Sequence, residues 1–176
     1  MKRIVIAALL LASFVAAPAL ADNTGKAYIA GDLGFANYSN TSPFSSPGMV
    51  RIAGGFHFSP MLAAEIGYTS FGDSSVGGTT LSASSFQVAA VGNLPLNAKF
   101  DLIGKLGIAN NSEKYSDAWG TFASYSQSSL MFGLGAQYHL DKQLSIRAQY
   151  EDYGDFDNYF QPMKATTVSM GVAYNF

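Results

Sequence analysis

Five charged side chains, Asp32, Arg51, Glu65, Lys105 and Arg147, fall in the middle of alternating runs, amid glycine, alanine and serine. The chemistry open to them is ion pairing inside an enclosure, because a charge buried without a partner costs several kcal/mol. Hydrolytic chemistry needs an imidazole beside a nucleophile or acid, and the chain has only two histidines. His57 precedes the short turn Ser59-Pro60-Met61 and His139 precedes the short turn Asp141-Lys142, so both stand at one end of the runs and away from the long connections. The acidic segment Glu151-Asp152-Tyr153-Gly154-Asp155-Phe156-Asp157 lacks the ordered ligand spacing of a calcium loop and is expected to be a solvated loop. The chain is therefore expected not to be an enzyme and to hold neither metal nor cofactor.

The elements that must carry those charges are strands. Two-residue alternation recurs in eight runs, at about 26–37, 49–58, 62–71, 84–94, 99–109, 127–140, 143–152 and 169–176. In the third, Leu62, Ala64, Ile66 and Tyr68 oppose Ala63, Glu65, Gly67 and Thr69; in the seventh, Leu144, Ile146, Ala148 and Tyr150 oppose Ser145, Arg147, Gln149 and Glu151. Short connections alternate with long polar ones at 38–48, 72–83, 110–125 and 153–163, the signature of an up-and-down meander.

Residues 1–21, MKRIVIAALLLASFVAAPALA, open with Lys2 and Arg3, continue apolar and close on small residues. That is the pattern of a secretory signal peptide, with cleavage expected before Asp22 and a single domain over 22–176. The formal net charge of −2, with no basic block, argues against nucleic acid as a partner. An exported chain without cysteine must hold together without disulfides.

Alternation does not say which face points outward. Charged residues are 12% of the chain and aromatics 14%, too little charge to coat a soluble domain of this size. Phe56, Phe58, Phe100, Tyr138, Tyr174 and Phe176 crowd the short-turn end on the apolar face, as an interfacial girdle does. These features select an all-β, eight-stranded antiparallel transmembrane barrel with its apolar face toward lipid.

The stretches YIAGDLGF, HFSPMLAAEIGYTSFGD and FGLGAQYHLDKQLSIRAQYEDYG, in that order, resemble the OmpA-type eight-stranded outer-membrane barrel family. The likeness spans the mature chain, and no residues remain after it for the peptidoglycan-binding domain that family members often carry. The resemblance is thus to barrel-only, surface-antigen-like members of the Gram-negative outer membrane. It implies that Glu65 on the third strand and Arg147 on the seventh meet across the lumen. Counting from the turns agrees: the two strands are diametrically opposed, and each residue stands four above its turn. Asp32 and Lys105 are expected as a second opposed pair, with Gln137 near the same layer. The resemblance also implies that Ser169, Gly171, Tyr174 and Phe176 form the C-terminal signal read by the outer-membrane assembly machinery.

The expected partners are outer-membrane lipid and lipopolysaccharide, the assembly machinery, and a host or surface ligand for the loops, the barrel being a monomer. Phe44, Trp119, Phe122, Tyr125, Phe156, Tyr159 and Phe160 lie in the long connections, either as an outer girdle or as a binding surface. Two functions remain open: a structural and surface role (envelope integrity, adhesion or antigenic display), or a narrow porin-like channel gated by the lumen salt bridge.

Overall fold

The computed structural model describes residues 23–39, 48–76, 79–117, 120–156 and 163–176, with the side chains of 74–81, 115–125, 156 and 163 set aside. Eight strands follow in chain order: β1 (Ala27–Tyr38), β2 (Gly48–Ser59), β3 (Leu62–Val76), β4 (Thr79–Pro95), β5 (Phe100–Asp117), β6 (Gly120–His139), β7 (Leu144–Phe156) and β8 (Met163–Asn175). Each pairs antiparallel with its neighbours, and β1 closes on β8 with Tyr28 opposite Asn175. Closure removes both sheet edges, which is what lets strands cross hydrocarbon with every backbone group paired.

The alternation resolves as expected. Ile29, Leu33, Ile52, Ile66, Leu106, Leu130, Leu134 and Met170 project outward, whereas Asp32, Arg51, Glu65, Lys105 and Arg147 are buried inside. Side-chain oxygens hold the short turns. Asn97 Oδ1 accepts from the Lys99 and Phe100 amides at 2.9 and 3.0 Å, and Asp141 Oδ1 accepts from Gln143 and Leu144 at 2.7 Å each. The girdle pairs stack edge-on at this end: Phe56 on Phe58, Phe100 on Tyr138 and Tyr174 on Phe176, with centroids 5.3–5.4 Å apart.

At the opposite end the strands outrun the apolar pattern. β3 and β4 pair to Val76 and Thr79, and β5 and β6 to Asp117 and Gly120, within segments expected to be long loops. Polar cross-strand pairs carry these extensions: Ser82 Oγ donates to Asp73 Oδ1 at 2.6 Å, Asn110 Nδ2 to Ser128 Oγ at 3.1 Å and Ser126 Oγ to Asn110 Oδ1 at 3.0 Å.

Two bulges then re-aim the chain. The register shifts between Ser70 and Asp73 and between Asp152 and Asp155, and each shift contains a glycine at positive φ, Gly72 at 70° and Gly154 at 73°. Beside them Phe71 and Tyr153 turn wholly inside, edge to face with centroids 5.1 Å apart. The acidic segment therefore differs from its expectation: 151–156 is strand, and Glu151 and Tyr153 point into the lumen. The parity of Arg147 and Gln149 simply continues through them.

Candidate functional site

The lumen is filled in layers, and the strands' parity sets the order. On β3 the inward residues run Ala63, Glu65, Gly67, Thr69, Phe71; on β1 they run Tyr28, Ala30, Asp32, Gly34, Ala36. Below the charged level Tyr28, Ala30, Ala63, Val91, Ile103 and Ala173 form one apolar cluster. Above it Ala36, Phe71, Ala83, Ala109, Met131, Tyr153 and Ala165 form another.

Between them lie three carboxylates, Asp32, Glu65 and Glu151, and three cations, Arg51, Lys105 and Arg147, joined in one network. Glu65 and Arg147 meet, Nη1 to Oε2, at 3.2 Å. Lys105 bridges Glu65 at 2.9 Å and Glu151 at 3.0 Å, and Arg51 reaches Glu65 as well as Asp32 at 3.0 Å. Arg147 grips Asp32 with two nitrogens, Nε at 2.7 Å and Nη2 at 2.5 Å. Such a fork holds the carboxylate's orientation as well as its charge. Two tyrosines cap the network: Tyr28 donates to Glu65 Oε2 and Tyr153 to Glu151 Oε2, each at 2.9 Å. The Gln87 amide, oriented to satisfy its neighbours, offers its oxygen to Arg51 Nε at 2.8 Å.

Glycine on the intervening strand makes these reaches possible. Tyr28 faces Gly55 on β2, and Gly55 in turn faces Glu65 on β3. A Cβ at Gly55 would overlap the Tyr28 ring, so the ring crosses to Glu65 only because nothing stands there. Asp32, Gly171 and Arg147 repeat the arrangement across β1, β8 and β7, and a Cβ on Gly171 would overlap Asp32 Oδ1. Lys105, Gly133 and Glu151 repeat it across β5, β6 and β7. In each row a glycine is bridged by the polar pair on either side.

The expected pairings are thus partly rearranged. Asp32 has no ion pair with Lys105; it binds Arg51 and Arg147, while Lys105 binds Glu65 and Glu151. Gln137 faces Arg147 in register but lines the space beneath the network. Arg51, expected inside but given no partner, joins the cluster with Glu151, and Tyr28 and Tyr153 complete it without having been singled out. Inward parity alone would have found all of them.

Of the C-terminal residues, Ser169 and Gly171 face the lumen and Tyr174 and Phe176 face outward. Phe176 N donates to Ala27 O at 3.0 Å across the β1–β8 seam.

At the short-turn end a cavity of about 200 Å³ opens among Asn23, His57, Asn93, Asp101 and His139. A pocket of about 20 Å³ below the network, large enough for one water, adjoins His57, Glu65, Lys105 and Arg147. His139 contacts Asp101 through Nε2 at 2.8 Å and Ser145 through Nδ1 at 2.9 Å. The trio has the composition of a hydrolase triad, yet Ser145 is wholly buried and the ring is turned the opposite way from one. It works instead as a clamp across β5, β6 and β7. Among the described residues no group of three or more His, Asp or Glu is placed to hold a metal ion.

A family model described as outer membrane protein beta-barrel domain matches residues 7–176. No curated protein sequence matches significantly. Among solved structures, Neisserial surface protein A superposes with a TM-score of 0.68 at 16% identity, covering 85% of this chain and 97% of its own. Ail, the attachment invasion locus protein of Yersinia pestis, gives 0.62 at 20% identity over 87% of this chain and 99% of its own. The N-terminal barrel of OprF from Pseudomonas aeruginosa gives 0.64 at 10% identity over 87% and 100%. At these identities the likeness is one of fold.

Proposed function

The chain belongs to the outer-membrane β-barrel family, and from that membership we propose a structural and surface role for a barrel shut to solutes. The observation that carries this reading is the lumen's layering: a charge-balanced ion cluster stands between two apolar layers. Envelope integrity and display of the outer hairpins, for adhesion or as an antigen, are the work such a plugged barrel can do. It acts as a monomer in outer-membrane lipid and lipopolysaccharide, after export through a leader at 1–21 and insertion by the assembly machinery.

The ligand chemistry of the outer end follows from its residues. Ail has been solved with the heparin analogue sucrose octasulfate. Here the outer segments carry only Lys114 and Lys164 as exposed cations, against Asp73, Asp117, Asp155 and Asp157, while aromatics are plentiful. A partner recognised through aromatic and apolar contact fits better than a polyanion. Epitope tags at Gly120 or Ser45 should be detected on intact cells and a tag beside Asp141 only after permeabilisation; the reverse pattern would overturn the orientation. Cells displaying the protein should show no salt-sensitive retention on heparin resin, and retention there would refute the aromatic reading.

A second reading, a narrow channel gated by the Glu65–Arg147 contact, is favoured by the small pocket that adjoins the network and shares His57, Asn93 and Gln137 with the cavity at the short-turn end. Swelling of reconstituted vesicles in small sugars or amino acids separates the two: a plugged barrel gives the rate of protein-free vesicles.

A further inference from the structure

The lipid-facing wall of the barrel is not evenly ridged. Most outward positions carry a large apolar side chain, yet Gly31 on β1 and Gly54 on β2 face the same way. In register Gly31 lies between Val172 and Ile52, and Gly54 between Ile29 and Ile66. All four of those neighbours are more than half exposed. A Cβ at Gly31 would meet nothing within 4 Å, and one at Gly54 only the Tyr28 carbonyl oxygen at 3.9 Å. Crowding therefore does not demand glycine at either place. The two gaps are diagonal neighbours, and they merge into a groove of about 650 Å³, within the ~300–1,000 Å³ range of small-molecule sites. The groove crosses five strands, from Tyr174 on β8 to Phe86 on β4. Tyr174 belongs to the short-turn girdle, whereas Phe86 stands well above the Pro95 end of its strand, so the groove climbs the tilted wall.

Its lining holds only aliphatic, aromatic and glycine residues, continuous with the face that meets lipid. Hydrocarbon is the occupant that such a recess takes. A second barrel fits poorly, because two convex walls touch along a line and neither enters the other's recess. A flexible acyl chain follows the slot between Ile29 and Ile52 and gains close contact with the bare backbone on its floor. The two ends of the groove select the lipid. Next above Tyr68 and Phe86 the outward residues are Ser70 and Ser84, which offer hydroxyls but no cation to the phosphates of lipopolysaccharide. At the lower end Tyr174 faces Leu144, which follows the turn bearing the exposed Asp141 and Lys142. Charges of both signs there suit a zwitterionic headgroup. We propose that an acyl chain of a zwitterionic phospholipid from the periplasmic leaflet lies in this groove, over Gly31 and Gly54, with its headgroup at the level of Tyr174. The leaflet rests on the orientation proposed above; the groove and the class of lipid do not.

The test reconstitutes the purified barrel in vesicles of phosphatidylethanolamine and phosphatidylglycerol, with a trace of phosphatidylethanolamine carrying a diazirine on its acyl chain. Illumination and peptide mass spectrometry map the label. Ile29 and Ile52 should carry about threefold more label than Leu106, Leu130 and Leu134, which are at least as exposed, the equivalent of ~0.6 kcal/mol. Gly31→Leu combined with Gly54→Leu should abolish the excess. Gly104→Leu, at a glycine on β5 with equally open space, should leave it unchanged. Gly54→Leu alone should reduce the excess, which covers the case where the double variant fails to fold. Even labelling of the wild type overturns the proposal, as does an excess that survives the filled groove or is lost in Gly104→Leu. A diazirine-bearing lipid A that labels Ile29 and Ile52 more strongly than the phospholipid overturns it too. So does a crosslink joining two barrels through these residues, which would make a second copy the occupant. The vesicles carry the same lipids in both leaflets, so this result and the epitope-tag result on orientation fail separately.

Discussion

Glu65→Gln changes almost no volume and removes one charge from the most connected carboxylate of the lumen. Its Oε1 meets Lys105 at 2.9 Å and also Arg51, and its Oε2 meets Arg147 at 3.2 Å and the Tyr28 hydroxyl at 2.9 Å. After the change three cations face two carboxylates, between apolar layers that give the excess charge little to lean on. Breaking a buried pair in this way costs about 3–5 kcal/mol. Water in the small pocket beside Glu65 and Arg147 offsets part of it, so about 3 kcal/mol is expected. Adding Lys105→Met returns the cluster to two against two, and the double variant should be more stable than Glu65→Gln alone. Urea titration of the reconstituted barrel, scored by the mobility difference between folded and unfolded forms, reads both. The coupling should stand well above the ~0.5 kcal/mol scatter of additivity. A loss for Glu65→Gln below about 1 kcal/mol, the scale of an exposed pair, would refute the reasoning, as would additivity.

Other outcomes follow from the same geometry. Gly171→Ala should destabilise the barrel refolded without any assembly machinery by about 1–3 kcal/mol, the usual scale of overpacking, because the new Cβ overlaps Asp32 Oδ1; unchanged refolded stability would leave Gly171 with a role in assembly alone. Deleting Phe176 removes an outward aromatic and a seam hydrogen bond to Ala27, so outer-membrane levels of heat-modifiable barrel should fall; unchanged levels would refute its place in the signal. The Leu144 and Gln143 amides hold the Asp141 carboxylate below its ordinary pKa. Its contribution to the turn is therefore complete above about pH 3.9 and fades as pH falls through the lowered value. Amide exchange at Leu144, corrected for its intrinsic pH dependence, should lose protection only in that acidic range, and in Asp141→Ala at every pH.

The membrane-spanning half of every strand was legible because lipid demands an apolar outer face, and that demand writes a two-residue period. Beyond the membrane neither face needs apolar residues, so hairpins such as Ser82–Asp73 and Asn110–Ser128 were mistaken for loops although their hydroxyls and amides pair across strands. The same limit hid Tyr153, which continues the inward parity of Arg147, Gln149 and Glu151 just where the polar sequence looks like a loop. Counting heights from the turns brought Glu65 to Arg147, whereas opposition of the first and fifth strands alone did not bring Asp32 to Lys105. Strands in a barrel are tilted and staggered, so opposition does not mean equal levels. The register gives the answer that opposition misses: Asp32 lies directly opposite Arg51, and one glycine away from Arg147.

The central claim, that the ion cluster and its apolar layers close the lumen, is tested most directly by planar-bilayer recording of the purified wild-type barrel beside Glu65→Gln. A closed barrel predicts no steady unitary conductance for the wild type and brief openings for the variant. A steady, voltage-tolerant open level in the wild type, unchanged by Glu65→Gln, would contradict it.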